Sequence, residues 1–534
     1  MVRTRGVGAH SSIKVDTDMS NTKTIARNAG WFGLENAISF IATLFTSIAI
    51  ARILGPSKMG YIIYLSWIAS VVSNLGGIGI PSTTRKYMAE FIGMGDHGTA
   101  RFIYFRTLLF QTVMATLATG GILIWVLGDA KADYRAAAVL VVLSIWPGMI
   151  NTISSQANCA TEELSTNLPA SVISMLVFLV AIAATLVLKW GVIGVGASIL
   201  TTRAVDFLVR LIPTMKRILA WEKRHVLPDG LRKRMLTFAG QSVATMLLAL
   251  IVWDRSEFFL LKKLCADIRQ IAFYSVAFSM AERLLIGSTI FGSATDATIF
   301  AQFGRDRSRL PSIAASTFRY LALTSIPLHV IATALAVPAL LLLYGTQYSG
   351  AAMVVTIAPL LCMPKALLGP AQSLLQSTER QSFVIFATVF AGIADLSVAW
   401  WLIPAHGAVG ACIGSGVAQV TAVGMLWAVC IKLYKVKLPW MQLAKITFIS
   451  ILASLAAHLV AIRLSPLWGL VFGGGASLLV LFGLFYLMRV LEPEDRDRLQ
   501  HVTHILPRRF GVPANRLLSM LVRSNYRVPL TDNA

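Results

Sequence analysis

The sequence predicts an all-α polytopic membrane protein of about 14 transmembrane helices, two parallel-related six-helix lobes plus two C-terminal helices. Three observations predict it. Only 13% of the 534 residues are charged and 56% are hydrophobic, with a mean hydropathy of +0.70, whereas soluble domains carry about 25% charged residues. Fourteen apolar stretches reach the roughly 20 residues that a helix needs to cross the hydrocarbon layer. Matched motifs also recur along the chain at nearly one offset. A net charge of +22 in a soluble chain would point to nucleic acid. Here the basic residues lie between apolar runs and read as positive-inside topology, so no nucleic-acid partner is expected.

A polar lead, 1–29, comes first. It is no signal peptide, because the apolar run after it is too long for an h-region, and Met19 is an alternative start. The first lobe, 30–213, holds stretches at 30–53, 59–81, 104–128, 136–160, 166–188 and 191–213. A linker, 214–234, lies within the run Arg210–Arg234, which carries eight Lys and Arg residues. The second lobe, 235–433, holds 235–261, 270–300, 313–344, 350–377, 382–403 and 407–433. Two further stretches, 443–463 and 467–490, fill the segment 434–490. With the N-terminus inside, 34 of the 47 Lys and Arg residues fall on interior segments and 9 on exterior ones, so both termini are expected in the cytoplasm. The tail, 491–534, mixes apolar and basic residues and reads as a helix on the inner leaflet or a partner-docking tail. His501 and His504 within it read as surface-helix residues. The five cysteines, without CxxC spacing, read as packing residues.

The internal repeat rests on three matches. Pro147, Thr161 and Glu162 correspond to Pro364, Thr378 and Glu379 at an offset of 217. GVIGVGA from Gly191 corresponds to GAVGACI from Gly407 at 216, and MGYIIYLS from Met59 to IAFYSVAFS from Ile271 at 212. Six helices per copy is an even number, so the copies share one orientation about an axis along the membrane normal, as in many transporters.

The run ARILGPSKMGYIIYLSW (Ala51 to Trp67) and the run NLGGIGIPSTTRKYMAE (Asn74 to Glu90) resemble the start of polysaccharide-biosynthesis flippases of the O-antigen type. These belong to the multidrug/oligosaccharidyl-lipid/polysaccharide (MOP) exporter superfamily. WDRSEFFLLKKLCADIRQIAFYSVAFSMAERLL (Trp253 to Leu285) is similar to that family's seventh and eighth helices, with Ala272 where a glycine is usual. The resemblance spans about residues 25 to 490. It implies a non-enzymatic, multi-pass transporter of the bacterial inner membrane. Its expected substrate is a lipid-linked sugar moved from the cytoplasmic to the outer leaflet by alternating access. The expected partners are membrane lipid and polysaccharide assembly proteins, and the expected state is a monomer. A multidrug or lipid II exporter of the same superfamily is the alternative.

Charges inside membrane helices are costly and are functional candidates. Arg203, Arg283 and Lys365 fall near the middle of their stretches, and Arg255 near an outer end. Arg supplies forked donors and Lys a point charge, both suited to phosphate. These four are the candidate substrate-binding residues, in a cationic cavity between the lobes as the resemblance implies. The competing reading is internal pairing, with Arg203 and Asp206 neutralising each other at i, i+3. Glu35, Glu282 and Asp395 are candidates for a coupling H+ or Na+, and no other cofactor or metal is expected. Pro147 and Pro364 predict matched mid-helix kinks. The Gly-rich runs follow no strand, so they read as helix contacts and not nucleotide loops. A polysaccharide polymerase or glycosyltransferase generally needs a sizeable outer domain with clustered acids, and the outer loops here are short.

Overall fold

A computed structural model describes residues 44–129, 132–161, 166–223, 228–253, 256–289 and 306–490, together with 291, 299, 302 and 303. Glu35, Arg255, the lead 1–29 and the tail 491–534 with His501 and His504 lie outside the described residues. The described residues contain helices and no strand. The chain is an all-α multi-pass membrane protein. Among the described residues, eleven helices are long and apolar enough to cross a membrane. Many large apolar side chains are open to the surroundings, such as Trp401 (78%) and Leu479 (79%), while Ser450, Ser477 and Asp395 are buried. Soluble monomers rarely expose apolar surface on this scale, and a lipid-facing helix does.

The chain forms two compact units divided at Phe258/Phe259. In the first, α1 is a helical run over Leu44–Gly76. It contains Gly55 at φ 69, just before Pro56. A left-handed residue next to a proline interrupts a helix, which accounts for two apolar stretches being expected here. There follow α2 (Ile80–Gly93), α3 (His97–Asp129), α4 (Ala132–Leu143), α5 (Ile145–Ala160), α6 (Asn167–Val187), α7 (Gly191–Leu219) and α8 (Leu231–Trp253). Helix α7 runs on to Leu219, so Lys216 and Arg217 are helical. Arg101 of α3 donates to the Leu219 and Trp221 carbonyls, which satisfies groups that a helix end leaves open.

Helix α9 (Glu257–Leu264) crosses the division. The second unit continues with α10 (Arg269–Leu284), α11 (Leu310–Tyr344), α12 (Ala352–Cys362), α13 (Gly369–Ser377), α14 (Gln381–His406), α15 (Ala408–Tyr434), α16 (Trp440–Ala461) and α17 (Pro466–Leu487). The last two form a hairpin against α11. The segments 235–261 and 270–300 are helical where described, as α8 with α9 and as α10, but are not among the eleven. Between α9 and α10, Asp267 accepts from the Arg269 guanidinium and backbone N–H, both at 3.0 Å. Burial pushes this carboxyl up, but the Arg269 bonds outweigh it and hold the carboxyl below its usual range. Whatever stability this turn supplies is therefore present above the usual Asp range and is lost as pH falls through the lowered value.

The two units carry matching irregularities. In the first, the fourth apolar stretch is split at Ser144, between α4 and α5. In the second, its counterpart is split by a 3-10 stretch, Met363–Leu367, between α12 and α13. Pro147 and Pro364 sit at these breaks because a proline lacks the N–H and clashes with the carbonyl four residues back. A break leaves carbonyls open, and Trp427 Nε1 donates to the Leu367 carbonyl at 2.9 Å. The turns into α7 and α15 begin with Gly191 at φ 56 and Gly407 at φ 53.

Gly79 joins α1 to α2 at φ 67, and a Cβ there would lie 2.5 Å from the Ala239 carbonyl oxygen. Gly79→Ala should cost about 2 kcal/mol or more, from the left-handed backbone and the overlap together. Thermal unfolding of the purified variant checks this, and an unchanged midpoint would refute the close approach of α2 to α8.

Candidate functional site

A cavity of about 210 Å³ in the first unit is enclosed by α1, the α4–α5 break and α7. Its polar lining has one origin in sequence. Ser66, Ser70, Ser73 and Asn74 are spaced i, i+4, i+7 and i+8, so on a helix they form one stripe. Ser144 and Thr152 face them from across the break. Both hydroxyls bond back to their own helix, to the Val141 and Met149 carbonyls at 2.6 Å. That leaves their oxygens as acceptors, while the α1 stripe supplies donors.

Arg203 of α7 is the cation of this cavity. It is exposed, and no described residue bonds to its guanidinium. Gly148 of α5 borders it, and a Cβ there would lie 4.0 Å from Arg203 Cδ.

Pairing of Arg203 with Asp206 does not occur. Asp206 instead accepts from Arg210 Nε at 2.9 Å, Asn151 Nδ2 at 2.5 Å and Ser174 Oγ at 3.2 Å. The reason is geometric. Every side chain on a helix leans toward the N-terminus. Arg210 therefore leans back over Asp206, and Arg203 leans away from it. Arg210 also donates to Ser171 at 2.8 Å. Asp206 and Arg210 are both buried, so Arg210 belongs to the interior of α7 and not to a solvated linker. A turn further on, the Asn158 side-chain oxygen accepts from Thr214 at 2.9 Å and Arg217 at 2.8 Å.

In the second unit, Glu282 of α10 and Lys365 come together at 4.0 Å. Both are partly exposed, so the attraction is screened and adds little stability. Arg283, the next residue on α10, is half-buried. Lys365 stands at position 217 beyond Gly148, on the 3-10 stretch that interrupts the helix. The two units thus furnish the same break with a cation in different ways. In the first it reaches in from α7, and in the second the broken segment carries it.

Asp395 is 1% exposed on α14. A Cβ on Gly414 of α15 would lie 3.0 Å from its Oδ1. Only a glycine allows α15 to come this close to the carboxyl. The geometry therefore brings Glu282 and Lys365 together, seats Arg203 in a hydroxyl-lined cavity and buries Asp395 between α14 and α15.

No family model and no curated protein matches the sequence. Solved structures do. The lipid II flippase MurJ in an inward closed conformation aligns at 13% identity and a TM-score of 0.66, over 86% of this chain and 98% of that one. An inward-facing multidrug resistance MATE transporter of the MOP superfamily aligns at 15% and 0.60, over 74% and 95%. A MOP superfamily transporter from Pyrococcus furiosus, described as having a binding pocket of reverse polarity, aligns at 14% and 0.55, over 77% and 96%. At these identities the likeness is one of fold, and the chain has the fold of these transporters.

Proposed function

We propose that this chain is a flippase that moves a polyprenyl-diphosphate-linked saccharide from the cytoplasmic to the outer leaflet of the bacterial inner membrane by alternating access. The observation that carries the proposal is Arg203, a cation held among hydroxyl groups within helices long and apolar enough to span a membrane. No described residue bonds to its guanidinium, so its N–H groups are open to a ligand, and a diphosphate would accept charge-assisted bonds from them. Ser66, Ser70, Ser73 and Asn74 would supply neutral donors to the same group. The fold match to a lipid II flippase over nearly its whole length supports a lipid-linked cargo. An O-antigen, capsule or exopolysaccharide unit is the cargo that the resemblance in sequence implies. Lipid II itself is the second reading, favoured by that fold match.

Lys365, Arg283 and Arg255 are the further substrate-binding candidates. Lys365 would be released from Glu282 when a phosphate displaces the carboxylate. Asp395, Glu282 and Glu35 are the candidates for a coupling H+ or Na+. Asp395, buried between α14 and α15, would bind such an ion away from the surface of its unit.

The test is a proteoliposome assay with defined polyprenyl-diphosphate sugars, with and without a pH or sodium gradient. Transport of these lipids and not of cationic drugs is expected, and drug transport alone would overturn the proposal. In the same assay, Lys365→Ala and Arg283→Ala should each lower the initial rate several-fold at unchanged expression. Wild-type rates in both variants would remove the second unit's cations from the binding site.

A further inference from the structure

A second cavity in the first unit, of about 340 Å³, lies between α2 and the start of α8. It shares no lining residue with the Arg203 cavity. Three cations line it, Lys86 from α2 and Lys233 and Arg234 from α8, and no carboxylate does. Two of them are held in place by their neighbours. Lys86 Nζ sits 4.0 Å from the centroid of the Phe238 ring. Arg234 Nη2 donates to both oxygens of Glu90, at 3.0 and 3.2 Å, and its guanidinium lies 5.4 Å from the Tyr87 ring. Tyr87 and Phe238 pack edge to face at 6.1 Å and form an aromatic wall between the charges. Cations attracted to ring faces cost less to hold in a fixed position than solvated ones.

The arrangement is unfavourable when left alone. Glu90 answers Arg234, but Lys86 and Lys233 bring two further positive charges to one hollow. Helix α8 has no acid in its first turn, and of the acids just before it Asp229 offsets the positive helix start. A compact anion relieves both lysine charges at once. Phosphate suits the set, because Lys offers point charges, Arg the N–H groups not used by Glu90, and Thr237 a hydroxyl. The aromatic wall gives the carbon side of a phosphodiester an apolar surface. The cavity also lies where α8 changes from a basic to an apolar sequence, which is the level of lipid headgroups in a bilayer.

We propose that the α2–α8 cavity is a binding site for a phosphate group, carried by an anionic membrane lipid. The site shares no lining residue with the Arg203 cavity and does not depend on which substrate the chain moves. The test is native mass spectrometry of the full chain released from micelles doped with phosphatidylglycerol or phosphatidylcholine. Wild type should retain at least one more phosphatidylglycerol than Lys86→Gln/Lys233→Gln, with equal retention of phosphatidylcholine. Lys435→Gln/Lys437→Gln removes two cations elsewhere and should leave retention at the wild-type level. Lys86, Lys233, Lys435 and Lys437 are all exposed, so these variants should fold, and an unchanged thermal midpoint confirms it. A second variant, Lys233→Glu, should abolish the extra lipid. Inorganic phosphate and pyrophosphate identify the source of the anion. If they displace the lipid only in large excess, the headgroup is the ligand. If they bind in its place at low concentration, the same site serves a soluble phosphate. Equal phosphatidylglycerol retention in wild type and both site variants, or an equal loss in the Lys435/Lys437 control, would overturn the proposal.

Discussion

Arg203→Ala is expected to lower the initial rate of lipid flipping by about tenfold to a hundredfold while leaving stability nearly unchanged. The rate effect follows from losing a hydrogen-bonding cation, worth about 1.5–3 kcal/mol, at about 1.4 kcal/mol per factor of ten. The stability effect is small because Arg203 is exposed and bonds to no described residue, and such surface changes usually stay within about 0.5 kcal/mol. The combination is diagnostic, since a structural arginine would move both quantities. Arg203→Lys should recover part of the rate, because it restores the charge without the fork. Flipping at the wild-type rate by Arg203→Ala would sink the diphosphate reading of this cavity.

Asp206→Ala should produce the opposite pattern. It removes the shared acceptor of Arg210, Asn151 and Ser174 and leaves a buried guanidinium without its counter-charge. Breaking one side of a buried pair costs about 3–5 kcal/mol, so the thermal midpoint in detergent should fall sharply. Replacing both partners, as Asp206→Leu with Arg210→Met, should restore much of the loss, because no charge is then stranded. If the double variant is no more stable than Asp206→Ala, the pair is not the reason the carboxylate matters.

These two arginines lie seven residues apart on one helix and have different roles. In a linear reading Arg203 stands out as an intramembrane charge, and Arg210 merges with the basic run that follows it. Both are two helical turns apart on nearly the same face. Their roles diverge because the acid sits between them, and side-chain tilt lets only the later one reach it. The same limit applies to Lys365. Its depth in an apolar stretch marked it as a candidate, but nothing local indicated Glu282, which arrives from a helix some 80 residues earlier. The stripe on α1 was legible, since Ser66, Ser70, Ser73 and Asn74 recur at helical spacing. Short polar side chains are ordinary in membrane helices, so the spacing acquires meaning only when an arginine faces it.

Much about this protein was decided by the sequence alone. The class of fold and the breaks at Pro147 and Pro364 follow from hydropathy and from backbone chemistry that acts within a few residues. The left-handed glycines at the starts of α7 and α15, Gly191 and Gly407, belong with them, because each φ is a local property. Tertiary structure alone decided which charges neutralise one another and which remain available to a ligand. Pairing depends on the direction of each side chain and on what the neighbouring helices bring within about 3 Å, and neither quantity is encoded locally.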